Sequence, residues 1–482
     1  MTDSLISRRW LLRDSALGLG TVALAQLMTA GRVSGAPRKA RMDLTPRPPA
    51  LEPRAKAVIQ LVQNGGPSQM DLFDPKPELN KRHGQPFHTK ADLQGLGSES
   101  NLLMASPFEF RKHGRSGMDF SSVLTHTPAI ADDICMIRSM VSEHNNHTEA
   151  LIMLATGKIF RGRPTLGAWV TYALGSENQN LPGYVVLRDP EGYNTNATLN
   201  WDAGWLPALY AGTEFQSQGE PVLNLAPPKT VSGEVQREKL DLIARLNEAH
   251  RKQYPAESEL ETRIRNYELA ARMQLSATGV LDISSEPETT RKLYGLDNPL
   301  TESYGRRCLM ARRLVEAGVR FVQVFPPIKP SFQPWDSHGS IKQEVPRICA
   351  RIEQPTAALI HDLRSRGLLD ETLVVWAGEF GRQPVSQNET GRDHNKRAFS
   401  IWLSGGGVKP GYIHGATDDF GYEAVDKRMT VSDLHATILN QLGIDHRKLT
   451  YWHNGRDESL TDVALTGARV VGDILTNEVA AA

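Results

Sequence analysis

Short apolar runs that end abruptly in polar residues recur along this chain, and they constrain its fold more than any other feature. The clearest run, residues 373–377 (LVVWA), is followed at once by Gly378 and Glu379. A second run, residues 57–62 (AVIQLV), leads into Asn64. Such β-branched runs predict buried strands of a parallel sheet. In open α/β sheets, ligands bind beyond the carboxyl ends of the strands, so these polar side chains are expected to face a site.

Helical patterns alternate with the strand patterns. We predict helices over residues 119–132, 165–174, 234–254, 259–275 and 430–442, and strands over 134–137, 184–187, 319–325 and 398–404. This alternation implies an α/β fold with a mostly parallel sheet and helices on both faces.

Composition sets the outer limits of the function. The 482 residues include 40% hydrophobic residues, enough for a sizeable core. Lys and Arg together number 55, as do Asp and Glu, so no net charge favours nucleic acid as a partner. Three scattered cysteines are too few for a disulfide scaffold or a cysteine metal site, and we predict that they pack in the core.

The N-terminus has the pattern of an export signal. Arg8 and Arg9 precede an apolar, Gly-containing run, which predicts a twin-arginine (Tat) signal peptide over residues 1–36 that engages the Tat export machinery. The alternative is a membrane anchor, but the run is shorter than the roughly 20 apolar residues of a spanning helix. We therefore expect no stable membrane span after processing, and a periplasmic or cell-surface location. We predict that residues 37–56 form a linker. Residues 57–482 are expected to form a single domain with a helical insertion at about 230–276.

Polar residues from widely separated strand ends are expected to converge. Asp336 and His338 stand two apart after the strand at 319–325, a spacing that places both side chains on one side of an extended loop. The candidate metal ligands are Asn64, Asp336, His338, Glu379, Asp393 and His394. Carboxylates, imidazoles and amides of this kind bind divalent ions. The alternatives to metal binding are that Asp336 or His338 caps a turn, and that residues 392–395 form a solvated polar loop.

A second polar loop, residues 142–148, leads into a helix that is predicted to end at Gly157. Imidazoles and a hydroxyl at a helix N-terminus favour anion binding, because the free N–H groups and the helix dipole attract negative charge. The alternative for His144 and His147 is ordinary capping of a surface helix.

Several motifs resemble one protein family. VVWAGEFGR, GRDHN, WDSHG, QNGGPSQMDLFDPKP, NHTEALIMLATGK and GGGVKPGYIHGATDD resemble the bacterial Tat-exported proteins of domain-of-unknown-function family 1501, over nearly the whole mature chain. More distantly, the chain is similar to the sulfatase and alkaline phosphatase superfamily of metal-dependent esterases. The resemblance implies that Glu379 and Phe380 replace a metal-binding Asp-His or Asp-Asn pair, and that Asn64 replaces a first-strand aspartate. It places His147, beside Thr148, at the nucleophile position.

This resemblance implies an alkaline phosphatase/sulfatase-like fold and, with the candidate ligands and the signal pattern, an exported metal-dependent hydrolase acting on small-molecule or glycan sulfate or phosphate esters. The ion could be Zn, Ca, Mn or Mg. Asp336, His338 and His394 would hold one divalent metal ion, and Asn64, Glu379 and Asp393 would support it or bind a second. The predicted catalytic residues are His147 and Thr148, with Arg382 and Arg392 holding the oxyanion. The alternative is a non-catalytic member of the fold that binds a surface glycan or an exported protein partner.

Overall fold

The computed structural model describes residues 42–88, 101–219, 233–253 and 258–476. The strands of this part of the chain are β1 (Ala57–Val62), β2 (Phe110–His113), β3 (Met118–Ser121), β4 (Ile134–Val141), β5 (Tyr184–Leu187), β6 (Thr213–Glu214), β7 (Phe321–Val324), β8 (Thr372–Ala377), β9 (Gly381–Gln387), β10 (Gly391–Asn395), β11 (Phe399–Ser404), β12 (Tyr412–His414), β13 (Ala416–Thr417), β14 (Ala424–Asp426), β15 (Met429–Thr430), β16 (Tyr451–His453) and β17 (Arg456–Glu458).

Its α-helices are α1 (Gln69–Leu72), α2 (Pro77–Lys81), α3 (His147–Thr156), α4 (Leu166–Leu174), α5 (Gly233–Gln253), α6 (Ser258–Leu281), α7 (Glu288–Leu293), α8 (Glu302–Glu316), α9 (Ile341–Ser365), α10 (Val431–Gln441) and α11 (Val463–Thr466). Short 3₁₀ helices span Thr127–Asp133, Ala197–Asn200, Ala208–Tyr210, Ile283–Ser285, Leu369–Glu371 and Gly472–Ile474.

The central sheet has the strand order β12-β4-β11-β8-β1-β7-β5-β6, with β15 also paired to β4. β1 runs parallel to both β7 and β8, and β5 runs parallel to β6 and β7. β11 alone breaks the pattern, because it is antiparallel to both β4 and β8. The predicted α/β fold with a mostly parallel sheet is confirmed.

Burial shows that both faces of this sheet are covered. Every residue of β1, β5, β7 and β8 is buried. Since successive side chains of a strand point to opposite faces, neither face of these strands meets solvent. Packing on both faces explains why the strands read as continuous apolar runs in the sequence.

Local predictions are confirmed at several places. α4, α10 and the strands at 134–141, 184–187, 321–324 and 399–404 lie where their patterns predicted them. Gly157 ends α3 in the left-handed conformation, with φ of 75°. The three cysteines are unpaired and buried. The helices predicted over 234–254 and 259–275 correspond to α5 and α6. Pro255, the signal segment and residues 37–41 of the linker lie outside the described residues.

The predicted helix over 119–132 is wrong. The chain forms β3, which pairs with β2 as an antiparallel hairpin, and then a 3₁₀ helix that includes Pro128. Met118 and Phe120 are fully buried while Asp119 between them is partly exposed, so the apolar period is two rather than 3.6.

The predicted polar loop over 392–395 is also wrong, because these residues belong to β10, which pairs antiparallel with β9. Asn388 and Glu389 make the turn between the two strands with positive φ. The polar side chains of this hairpin are buried, so hydrophobic alternation does not reveal it.

Candidate metal centre

Four potential metal ligands converge beyond the carboxyl ends of the central strands. His147 is the first residue of α3, Asp336 and His338 lie on the loop after β7, and His394 lies in β10. Asp336 Oδ1 is 2.9 Å from His338 Nε2 and 3.2 Å from the Nε2 atoms of His147 and His394. One ligand atom from each residue lies within 4.8 Å of the other three.

The second nitrogen of each imidazole faces an oxygen. His147 Nδ1 lies 2.7 Å from Glu379 Oε1, and His394 Nδ1 lies 2.7 Å from the carbonyl oxygen of Asn145. His338 Nδ1 contacts Gln387 Oε1. A carbonyl oxygen only accepts hydrogen bonds, and an ionised carboxylate does the same, so the Nδ1 atoms are the donors. The Nε2 atoms of the three rings then lie together around Asp336 Oδ1.

This arrangement fits a divalent ion. His338 Nε2 and His394 Nε2 lie only 2.9 Å apart, and the buried His147 Nε2 lies 3.2 Å from Asp336 Oδ1. Lone pairs of neutral imidazoles repel one another at such a distance unless a cation or a proton lies between them. In a tetrahedral site with bonds of about 2.0–2.1 Å, ligand atoms lie roughly 3.3–3.4 Å apart. The three distances from Asp336 Oδ1 and the His338–His394 distance are close to that spacing, so the four residues could hold one ion.

Arg382 fixes the carboxylate of this cluster. Its guanidinium lies 2.7 Å from Asp336 Oδ1 and also donates to the carbonyl oxygens of Gly65, Gly66, Trp335 and Arg392. Burial alone would raise the pKa of Asp336, but Arg382 and the neighbouring imidazoles hold that pKa well below its usual range. Asp336 is therefore an anion.

The same environment shifts the pKa values of His147 and His394 in opposite directions. Burial lowers the pKa of His147, but hydrogen bonds and charge from Asp336 and Glu379 outweigh burial, and the net pKa is raised. Burial, aided by the positive charge of Arg382, lowers the pKa of His394 to about 4 although Asp336 opposes this shift. His394 is therefore neutral near pH 7, ready to offer a lone pair.

Glu379 lies beside the cluster but contacts the far side of an imidazole. Its side chain is fully buried, and Oε1 accepts hydrogen bonds from His147 Nδ1 and from the backbone N–H of Gly65. Gly65 has φ of 111°, and a Cβ there would lie 2.6 Å from the Trp335 nitrogen and 2.7 Å from that of Asp336. Only glycine lets the turn after β1 approach the Asp336 loop so closely.

Asn64 and Asp393, two other predicted ligands, are not among the four clustered residues. The Asn64 side chain accepts from Asn194 Nδ2 and donates to the carbonyl oxygen of Phe332. Asp393 Oδ1 accepts from the backbone N–H of His394. Both residues thus support the loops and the strand that carry the cluster.

The predicted oxyanion role does not fit the two arginines. Arg382 and Arg392 are fully buried, and Arg392 forms an ion pair with the fully buried Asp71 at 2.7 Å. Arg392 also donates to the carbonyl oxygens of Gln383, Pro384 and Met104. Their guanidinium groups stabilise the loops around the site, because their donors face protein oxygens.

His147 and Thr148, the predicted catalytic pair, differ in environment. His147 points into the cluster, whereas Thr148 forms hydrogen bonds through its backbone. Its N–H donates to the N-cap residue Asn146, and its carbonyl oxygen accepts from Asn196. The imidazole rings of His147 and His394 also pack on Phe380, at 4.8 and 4.6 Å between ring centres.

The sequence reasoning missed the supporting residues Asn145 and Gln387. Asn145 lies within the polar loop singled out before α3, so its carbonyl could have been suspected. Gln387 carries no signal, because it meets His338 across 49 residues of sequence only through the β9–β10 hairpin.

No helix among the described residues is long and apolar enough to cross a membrane.

Comparisons with solved structures give distant matches. The phosphonate monoester hydrolase SpPMH from Silicibacter pomeroyi is 14% identical, with 72% of each chain covered and a TM-score of 0.33. The PsFucS1 sulfatase from Pseudoalteromonas sp. is 13% identical, with 93% of this chain and 76% of that chain covered and a TM-score of 0.34. The lipoteichoic acid synthase LtaP from Listeria monocytogenes is 10% identical, with 81% and 73% covered and a TM-score of 0.35. These values describe a remote likeness of fold and carry nothing about activity.

Comparison with sequences is more specific. No curated protein matches this chain significantly. Residues 55–475 match the family described as "Protein of unknown function (DUF1501)". Because this match covers most of the chain and includes the resembling motifs, the protein belongs to the DUF1501 family.

Proposed function

We propose that this protein is an exported, metal-dependent hydrolase of sulfate or phosphate esters. The observation that carries the proposal is the convergence of three imidazole Nε2 atoms on Asp336 Oδ1, at 2.9 to 3.2 Å. Metal sites that catalyse hydrolysis combine such ligands with a side open to substrate.

The ligand residues differ in their access to solvent. The side chains of His338 and Asp336 are 29% and 22% exposed, whereas those of His147 and His394 are 11% and 12% exposed. Substrate therefore approaches from the side of His338 and Asp336. His147 and His394 form the inner wall, backed by Phe380.

Each residue has a defined task in this proposal. Asp336, His338, His394 and His147 hold the ion, and Arg382 holds Asp336 in place and keeps it ionised. A bound divalent ion would neutralise charge on the ester and make a water molecule more acidic. Thr148, in the first turn of α3, supplies a side-chain hydroxyl next to His147, which the resemblance places at the nucleophile position.

The experiment is a metal and activity assay on the purified protein. We expect about one divalent ion per chain and metal-dependent turnover of an aryl sulfate or aryl phosphate. Asp336→Asn should lose both, while His361→Ala, which changes an exposed histidine on α9, should retain both. Metal-free protein with full turnover would contradict the proposal.

Export by the Tat route is part of the same proposal. It is supported by Arg8 and Arg9 before an apolar run. The substrate would then be an ester of the periplasm or the cell surface, either a small molecule or a glycan.

A second candidate is a non-catalytic protein that binds a surface glycan or an exported partner. It is favoured by the two buried arginines, whose guanidinium groups contact protein oxygens rather than an open pocket. One bound metal ion together with no turnover across a broad panel of esters would support this candidate over the hydrolase.

A further inference from the structure

We infer that the centre holds one first-row transition-metal ion of the zinc type in a three-nitrogen, one-oxygen site, and that Glu379 is a positioning residue outside the ligand set. This inference rests on the metal centre of the proposed function, but not on the ester reaction.

The donor set selects the class of ion. Ca²⁺ takes about six to eight oxygen ligands, and Mg²⁺ prefers carboxylates, phosphates and water. The cluster in the described part of the chain supplies three imidazoles and a single carboxylate. Imidazole favours Zn²⁺ and its first-row neighbours over Mg²⁺ and Ca²⁺. Three nitrogens and one oxygen near tetrahedral spacing therefore select a zinc-type ion.

The rings are set in place by the oxygens that contact their Nδ1 atoms. His147 faces a carboxylate, His394 a backbone carbonyl and His338 a side-chain amide oxygen. Such contacts fix both the tautomer and the orientation of a metal-binding histidine. With Nδ1 donating in all three rings, Nε2 is the nitrogen that each ring presents to the ion.

Glu379 is the one carboxylate among these three acceptors. Its Oε1 lies 2.7 Å from His147 Nδ1, on the side of the ring opposite to Nε2. The same oxygen accepts from Gly65 N–H at 2.8 Å, which anchors the carboxylate to the turn after β1. Through Oε1, Glu379 therefore acts on His147 rather than on the ion itself.

The ion class is tested by titrating chelator-treated protein with Zn²⁺, Co²⁺, Mg²⁺ and Ca²⁺ in a calorimeter. We expect one site per chain, with Zn²⁺ and Co²⁺ binding at least about 100-fold more tightly than Mg²⁺ and Ca²⁺. Bound Co²⁺ should give the intense visible absorption of a four-coordinate ion. Tighter binding of Ca²⁺ or Mg²⁺, or an octahedral Co²⁺ spectrum, would overturn the assignment.

The role of Glu379 is tested with Glu379→Gln against the matched control Glu389→Gln, which changes an exposed glutamate in the β9–β10 turn. Glutamine keeps an acceptor for His147 but removes the charge. We expect Zn²⁺ affinity to fall by about 10- to 100-fold with one ion still bound, and the control to match the wild type. Unchanged affinity would refute the positioning role, and loss of one of two ions would make Glu379 a ligand.

A measurement on the wild type covers the case in which Glu379→Gln does not fold. Nitrogen-15 NMR of the Zn²⁺-loaded wild-type protein reports which ring nitrogen of each histidine binds the ion and which carries a proton. We expect metal-bound Nε2 and protonated Nδ1 in His147, His338 and His394, and metal-bound Nδ1 in His147 would defeat the inference. Failure to hydrolyse any ester by a protein with one bound zinc would defeat the hydrolase and leave this inference intact.

Discussion

At the scale of single residues, the contrast between His147 and Thr148 gives the sharpest test of the site. His147→Ala removes a ring whose Nε2 lies 3.2 Å from Asp336 Oδ1, so metal affinity and any turnover should both fall by at least about 10-fold. Thr148→Ala keeps the backbone contacts of this residue and should retain metal binding. Calorimetry and an ester assay check both variants. Trapping of a phosphothreonine would show instead that Thr148 is the nucleophile.

A second prediction at this scale tests whether Arg392 stabilises the fold or binds the substrate. Arg392→Met leaves the fully buried Asp71 without its partner, and breaking a buried ion pair in this way costs about 3–5 kcal/mol of unfolding free energy. We expect that loss in chemical denaturation, while Zn²⁺ affinity of the folded variant changes little. A stable variant with lost ester binding would restore the oxyanion role that the sequence suggested.

The sequence could identify these residues but not their roles. Asp336, His338 and His394 were recognisable because metal-binding side chains follow strand patterns. The pairing of Arg392 with Asp71 spans 321 residues, and no local pattern encodes it. An arginine near a polar cluster looks the same whether it binds an anion or a buried aspartate.

At the scale of elements, the close packing of the turn after β1 against the loop after β7 fixes the position of Asp336. Gly65→Ala would place a methyl group 2.6 Å from the Trp335 nitrogen and 2.7 Å from the Asp336 nitrogen, so the Asp336 loop must shift. Gly84→Ala is the matched control, since Gly84 also has positive φ, 78°, but nothing lies within 4 Å of its Cβ position. We expect Gly65→Ala alone to weaken Zn²⁺ binding by 10-fold or more, on the order of a lost supporting contact. Equal affinities in calorimetry would rule out this coupling.

The packing of α10 on α3 gives a pH prediction. His435 of α10 is buried, its Nε2 contacts the carbonyl oxygen of Leu154, and burial lowers its pKa from 6.5 to about 4. The unfolded chain therefore binds a proton more readily, and stability falls as pH drops from about 6.5 toward 4. The full loss of unfolding free energy from this pKa shift of His435 is about 3 kcal/mol. His435→Asn should show a smaller loss of unfolding free energy between pH 7 and pH 5, and an unchanged pH profile would contradict this.

Elements were predictable where apolar patterns have a clear period. The runs that became β1 and β8 are apolar throughout because both faces of the sheet are covered. The β9–β10 hairpin was missed because most of its buried side chains are polar and some of them bind distant partners such as Asp71. Hydrogen bonding of that kind leaves no hydrophobic period in the sequence.

At the scale of the whole molecule, a polar cluster built from distant segments requires the completed fold. His147, Asp336 and His394 come together only when β4, β7 and the β9–β10 hairpin are in place. A protein with such a site benefits from an export route that carries folded chains, because metal can bind before export. The proposed Tat signal and the proposed metal centre are thus both consistent with a protein that folds and binds its metal ion before export.

The export proposal is tested by changing Arg8 and Arg9 together to lysine. The Tat route recognises the guanidinium pair rather than charge alone, so the double variant should remain in the cytoplasm with its signal uncleaved. Arg13→Lys makes the same chemical change outside the pair and should leave export intact. Cell fractionation followed by immunoblotting checks both variants, and the metal content of the retained protein should equal that of the exported form. Normal export of the double variant would refute the Tat assignment, and retained protein lacking metal would show that the ion is acquired after export.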